Sequence, residues 1–208
     1  MKKDPYRRIV WIYDLVAEPA AGILRRIALG VYPPRENIYI LDAGCGTGTQ
    51  LELFRRPGCK LCGVDTSPAM LDVARRKLGD AAELSLQDIS HTTFPDRMFD
   101  LVTMVLVLHE VPALLRPAVL TECKRVLKAD GRILLLDFHF GPYSFPRSYL
   151  LRILRWSMEV GAGREHYANY RDFRKRGGLA PLLAETKLSI DKQVVARDGL
   201  AAVHLLRP

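Results

Sequence analysis

The 208-residue chain is expected to fold as an α/β protein built on a doubly wound, mainly parallel sheet. Three observations point there. Apolar strand-like runs alternate with amphipathic segments from residue 38 to residue 139. The runs are continuous rather than alternating, as expected of strands covered on both faces. A glycine-rich stretch lies directly after the first run and before a helix pattern.

Residues 5–30 read as one or two helices ahead of the sheet. Strands are expected at Ile38–Ala43, Lys60–Asp65, Glu83–Gln87, Asp100–Leu106 and Arg132–Phe138. Helices are expected at Thr49–Arg55, Pro68–Leu78 and Ala113–Leu127. Ser67-Pro68 supplies an N-cap followed by proline at the first helical position. Asp130-Gly131 is expected to break the chain before the fifth strand. Residues 142–184 carry no strand pattern and read as helices, with Leu150, Leu151, Ile153 and Leu154 on an apolar face. Leu188–Ala196 and Leu200–Leu206 flank Arg197-Asp198-Gly199, a hairpin signal that makes the last strand antiparallel to its neighbour at the sheet edge.

Composition bounds the function. Hydrophobic residues make up 49% and charged residues 26%, with 15 Gly and 13 Pro, which excludes a disordered, collagen-like or low-complexity chain. At this length roughly 70% of the unfolded surface can be buried, so one domain with additions is expected. Its parts are an N-terminal helical cap (1–37), a core (38–139), a helical cover (142–184) and a closing hairpin (188–206). The run Leu101–Leu108 is too short to cross a bilayer. The start MKKDPYRR is basic, but Asp14, Glu18 and Pro19 interrupt the apolar residues behind it, so no signal peptide is read and the cytoplasm is expected. Cys59 and Cys62 form a C-x-x-C without a second pair or histidine pair at zinc spacing, so neither a metal nor a disulfide is expected. The net charge of +8, from 31 Lys+Arg against 23 Asp+Glu, attracts anions. The cations come mostly as pairs on helix-like segments and are read as solvated helix faces rather than a nucleic-acid patch.

The stretch LDAGCGTG, Leu41 to Gly48, carries the strongest signal. Gly44, Gly46 and Gly48 allow positive φ and close approach of a ligand to the backbone. The third glycine comes two residues after the second, not the three of a dinucleotide fingerprint, and no triphosphate loop is present. Asp42, two residues before Gly44, would repel a phosphate but suits a cationic ligand. Asp65 ends the second strand, where a carboxylate meets the ribose of a bound nucleoside. Asp88 comes after the third strand, placed to accept from an exocyclic amine.

Five segments in order, LDAGCGTG, GVDTSPAML, LQDIS, FDLVTMVLVLHEV and ECKRVLKADGRILLLD, resemble the successive motifs of class I S-adenosylmethionine-dependent methyltransferases (methyltransferase type 11 domain). They are most similar to the group containing the ubiquinone- and menaquinone-biosynthesis enzymes. The resemblance covers residues 38–139 and extends weakly to Tyr13-Asp14 and the hairpin. It implies a Rossmann-like, seven-stranded sheet with an antiparallel last strand, and S-adenosyl-L-methionine as cofactor. It further implies that the loop of Gly44, Cys45, Gly46 and Gly48 passes the methionine and ribose part, and that Asp65 binds the ribose hydroxyls. Thr66 and Met70 lie against the adenine, Asp88 and Ile89 hold its edge, and Val105–Leu106 line the methionine end. His109 lies near the transferred methyl, and Tyr13 closes over the cofactor.

Methyl transfer from a sulfonium has a good, neutral leaving group, so alignment and water exclusion do much of the work. A base is needed only if the acceptor must lose a proton. His109 is the candidate, as base or acceptor contact, with Glu110, Asp137 and His139 as further groups at the strand ends. The 142–184 segment is expected to cover the acceptor. His139, His166, Tyr167, Tyr170 and Arg171 are its candidate contacts, and the cations around Arg171 could meet an anionic membrane surface. The acceptor is expected to be a small or lipid-like molecule. RNA methylation and non-catalytic cofactor binding are the alternatives; VLVLHEV lacks the Asn/Asp-Pro-Pro-aromatic pattern of base amino-group methylation, and nucleic acid is not the expected partner.

Overall fold

A computed structural model of the chain describes residues 10, 18–141, 160 and 163–208. The described helices are α1 (Glu18–Val31), α2 (Thr49–Phe54), α3 (Pro68–Leu78), α4 (Arg116–Val126), α5 (Arg164–Lys175) and α6 (Leu179–Glu185). The strands are β1 (Tyr39–Ala43), β2 (Lys60–Asp65), β3 (Ala82–Leu86), β4 (Phe99–Val105), β5 (Leu127–Phe138), β6 (Ser189–Val195) and β7 (Ala201–Arg207). They form one seven-stranded sheet in the order β3-β2-β1-β4-β5-β7-β6. The chain enters in the middle at β1, winds outward to β3, then crosses back to β4. That reversal opens a crevice between the carboxyl ends of β1 and β4.

Strand periodicity divides the core between the two faces. Leu41, Cys62, Val102, Ile133 and Leu135 pack on one side, with Val119 and Leu120 of α4, Phe173 of α5 and Leu183 of α6. Their neighbours Ile40, Leu61, Leu101, Leu134 and Leu136 pack on the other, with Ala28 of α1, Leu51 of α2 and Leu71 of α3. The central strands are therefore apolar at successive positions. Burying each leucine contributes about 1.5–3 kcal/mol.

Ser67 caps α3 as expected, its Oγ accepting from the Met70 N–H at 3.2 Å ahead of Pro68. Two expectations are corrected. Asp130-Gly131 does not interrupt the fifth strand: β5 starts at Leu127, and the dipeptide is absorbed where pairing jumps from Phe99↔Leu127 to Leu101↔Arg132. The last strand is antiparallel, but it is not at the edge. β7 lies between β5 and β6, pairing Ile133↔Leu206 through Phe138↔Ala201, and β6 forms the edge. The apolar content of β7, buried at Ala201, Ala202 and Val203, suits the interior, whereas Ser189, Asp191 and Lys192 suit the rim.

Candidate active site

The loop after β1 is tied to β2 by its backbone. Gly44 and Cys45 N–H groups both donate to Val64 O at 2.9 Å. A Cβ at Gly44 would stand 2.6 Å from Val107 Cγ2, so glycine lets this loop touch the one after β4. At Gly46, with φ 51°, a Cβ would meet nothing within 4 Å; its backbone faces open space. The Gly46 N–H donates to Asp65 Oδ2 at 2.8 Å, and the Ser67 N–H donates to Asp65 Oδ1 at 2.8 Å. Asp65 thus joins the glycine loop to the start of α3. Asp88 Oδ1 accepts from the Ser90 N–H at 2.8 Å and its hydroxyl at 2.7 Å.

These groups surround a cavity of about 240 Å³. Its first wall is Gly44, Gly46, Asp65, Thr66, Met70, Asp88 and Ile89. Its second is Val105, Leu106, Val107, Glu110, Val111, Pro112, Leu115 and Val119. Leu106 holds φ 58°, an uncommon conformation for a branched side chain, and its N–H donates to Leu136 O at 2.8 Å. The open backbone at Gly46 and the oriented carboxylate of Asp65 beside apolar Met70 and Ile89 fit a nucleoside carrying a cationic tail.

Asp42, Cys45 and Gly48, also expected at the cofactor, do not line this cavity. Asp42 is 1% exposed beneath the loop and accepts the Thr103 hydroxyl at 2.7 Å; burial pushes its carboxyl up to about 7. It is absent from the cavity lining. Cys45 is buried, with its thiol pushed up by desolvation. Gly48 packs toward Leu78 and Ala74. Tyr13 lies outside the described residues.

On the β4 side, His109 is buried, with Nδ1 2.7 Å from Asp137 Oδ1. Its Nε2 lies 3.8 Å from Glu110 Oε1, and His166 Nδ1 lies 3.8 Å from Glu110 Oε2. The His109 and His166 rings meet edge to face at 5.7 Å. Tyr170 is buried, its ring 5.7 Å from Phe138 and 6.4 Å from Tyr167. Arg171 is exposed, its guanidinium 5.8 Å from the Tyr167 ring. The His139 N–H donates to Leu200 O at 2.9 Å, fixing that residue toward β7. So α5 brings His166 and Tyr170 to His109, while Arg171 points to solvent.

Sequence reasoning missed the device that holds α5 there. Arg116, 2% exposed, donates to Leu108 O at 3.1 Å, Val111 O at 2.9 Å, Asn169 O at 2.8 Å and Asp172 Oδ2 at 2.8 Å. Asn169 Nδ2 donates to Glu110 O at 2.7 Å. One signal is present in the sequence: an arginine in the first turn of α4 opposes the helix dipole, so another partner must hold it. Val107 and Val111 fall within the FDLVTMVLVLHEV motif, whereas Pro112, Leu115 and Val119 carry no signal beyond apolarity.

The methyltransferase-domain family profile matches residues 41–135. The demethylmenaquinone methyltransferase of Thermobifida fusca is 30% identical over 180 residues, covering 77% of this chain and 72% of that protein. The enzyme of the same name from Symbiobacterium thermophilum is 35% identical over 147 residues, covering 63% of this chain and 57% of its own length. The crystal structure of an S-adenosylmethionine-dependent methyltransferase from Aquifex aeolicus matches with a TM-score of 0.60 at 16% identity, covering 88% of each chain. Sheet order, glycine loop and carboxylates thus define a Rossmann-like methyltransferase. The chain belongs to the S-adenosylmethionine-dependent methyltransferase family.

Proposed function

We propose that the chain transfers the methyl group of S-adenosylmethionine to a small, apolar or lipid-like acceptor bound beside His109. The observation that carries this reading is the shared cavity: the glycine loop, Asp65 and Asp88 line one side, and the segment after β4 lines the other. When bound, the cofactor supplies an electrophilic methyl on a sulfonium. Asp65 accepts the ribose hydroxyls, Met70 and Ile89 flank the adenine, and Asp88 accepts from its amine. Val105 and Leu106 exclude water from the methionine end. Asp42, beneath the loop, holds the loop's base through Thr103 rather than touching the ligand.

The acceptor side is apolar at Val107, Val111, Pro112, Leu115 and Val119, with Glu110 as its ionisable group. Such a wall suits a ring or chain bearing one reactive polar group. The relatives named for demethylmenaquinone, and a Serratia marcescens relative named for malonyl-[acyl-carrier protein], support an acceptor of this kind. No described helix is long and apolar enough to cross a membrane.

The deciding experiment is a methyl-transfer screen with labelled cofactor against quinol precursors, amines, phospholipid headgroups and bulk RNA. Turnover of a quinol or comparable small acceptor is expected. Salt-sensitive methylation of RNA, with none of the small acceptors turned over, would overturn the reading.

A further inference from the structure

We propose that His109, Glu110 and His166 form a binding site for a divalent transition-metal ion, with zinc best matched to the ligands. Its open position takes a hydroxyl oxygen of the acceptor. The role assigned to the ion rests on the methyltransferase reading; the metal site itself does not.

One ligand atom from each of the three side chains falls within 4.8 Å of the other two. Two imidazoles and one carboxylate are a common set for zinc sites that keep a fourth position open. The spacing is informative. Glu110 Oε1 to His109 Nε2 and Glu110 Oε2 to His166 Nδ1 are both 3.8 Å, too long for hydrogen bonds. With metal–ligand bonds of about 2.0–2.2 Å, tetrahedral ligands stand roughly 3.4 Å apart. The two 3.8 Å approaches are to different oxygens of Glu110, and with one ligand atom from each residue the separations reach at most 4.8 Å, so the side chains need to close by up to about 1.4 Å.

The surroundings resemble a prepared site. Asp137 Oδ1 lies 2.7 Å from His109 Nδ1, which sets the ring so that Nε2 is directed at Glu110. A carboxylate behind a ligating histidine fixes its tautomer and raises its basicity. The two segments that supply the ligands are pinned around the cluster. Arg116 bridges Leu108 and Val111 to Asn169 and Asp172 of α5, and Asn169 returns a bond to Glu110 O. Glu110 also belongs to the cavity wall, so the cluster adjoins the space assigned to the acceptor.

The expectation of no metal rests on cysteine spacing, which carries no information about two histidines brought together by a loop and a distant helix. An ion here lowers the pKa of a bound hydroxyl, as zinc does for water. The hydroxyl proton leaves to water, and the oxygen pair forms the new bond to the methyl carbon while the carbon–sulfur pair goes to sulfur, leaving a neutral thioether.

The test uses the full chain, free of any affinity tag and stripped with a chelator. It is titrated with Zn2+ alone by calorimetry, and with Co2+ to read ligand geometry from visible absorption. One equivalent is expected to bind. His166→Ala and Glu110→Gln should each weaken binding about 100-fold or more, and Asp137→Asn about 10–100-fold. Cys59→Ser should leave it unchanged. Circular dichroism of each stripped variant keeps a loss of binding distinct from a loss of fold. Absence of binding, or an equivalent that survives both His166→Ala and Glu110→Gln or disappears with Cys59→Ser, overturns the site. S-adenosylhomocysteine binding to the stripped protein separates the two readings: retained cofactor binding without zinc binding removes only the metal, whereas loss of cofactor binding removes the methyltransferase reading.

Discussion

Asp137 accepts from the backbone N–H of His109 at 3.3 Å, with its other oxygen 2.7 Å from the ring nitrogen of the same residue. One carboxylate at the end of β5 thus fixes both the loop and the imidazole after β4. The group is 0% exposed, and its Oδ1 also accepts from the Phe138 N–H at 2.7 Å. Asp137→Asn should lower unfolding free energy by about 1.5–3 kcal/mol, the range for hydrogen bonds to a charged group. Denaturant titration checks this. Cofactor affinity, which the proposed site assigns to Asp65 and Asp88, should change by less than about threefold.

Asp65 anchors the glycine loop and faces the cavity, so its removal should act on the cofactor. Asp65→Ala is expected to weaken S-adenosylhomocysteine binding by about 1.5–3 kcal/mol in calorimetry. Undiminished binding would falsify the ribose assignment.

Gly46 gives a cleaner separation of fold from binding. Gly46→Ala places a methyl group with no described atom beyond its chain neighbours within 4 Å, at φ 51°. The stability cost should be about 1–2 kcal/mol, from the left-handed backbone alone. Cofactor affinity should fall by more than that, because the methyl group would occupy the side of the loop on which the proposed site puts the ligand. Equal losses in melting and binding experiments would count against this placement.

Asp42 makes stability depend on pH in a stated direction. Its carboxyl is raised to about 7 by burial, against about 3.9 in the unfolded chain. Between these values the folded state holds more protons than the unfolded state, so stability falls as pH rises from about 4 through 7. Asp42→Asn, which keeps an oxygen to accept the Thr103 hydroxyl, should flatten that slope. The difference in pH dependence should approach about 4 kcal/mol across the window. Parallel slopes for the two proteins in urea titrations at pH 4, 6 and 8 would refute it.

Arg116 should behave as a rivet for α5. Arg116→Met removes the guanidinium but keeps an apolar stem over Phe173, whose ring centroid lies 5.0 Å from the guanidinium carbon. It leaves Asp172, paired also with Arg176 at 3.0 Å, without its buried partner. A loss of about 1–3 kcal/mol is expected, from the unsatisfied carbonyls of Leu108, Val111 and Asn169. Hydrogen exchange should quicken in Arg164–Lys175 before it does in the sheet.

The half of the site proposed for the cofactor is legible in the sequence because it is local. Gly44, Gly46, Asp65 and Asp88 each sit at the end of a strand, and parallel strands place successive carboxyl ends side by side. The other half is not. His166 reaches His109 across 57 positions through α5, and no spacing rule joins them. Arg116 has the look of one more surface cation, although its position in a helix's first turn argues otherwise. Asp42 stands beside the glycines and so suggests a ligand contact; strand alternation, together with the Thr103 hydroxyl, directs it inward. Asp130-Gly131 has the composition of a turn, yet pairing with β4 carries the strand through it.

The interior place of β7 has a consequence for how the protein is made. β7 comes after every other described strand but pairs on both sides, with β5 and β6. Until it arrives, the edge of β5 carries Ile133 to Leu136 with an unsatisfied row of backbone donors and acceptors. Such an edge is a template for pairing with another chain. During synthesis the nascent protein therefore passes through a stage with an open, apolar sheet margin, and completing the sheet requires contacts of long sequence separation, which form slowly. Lesions in Ala201–Arg207 should consequently appear first as insolubility on expression rather than as loss of cofactor affinity.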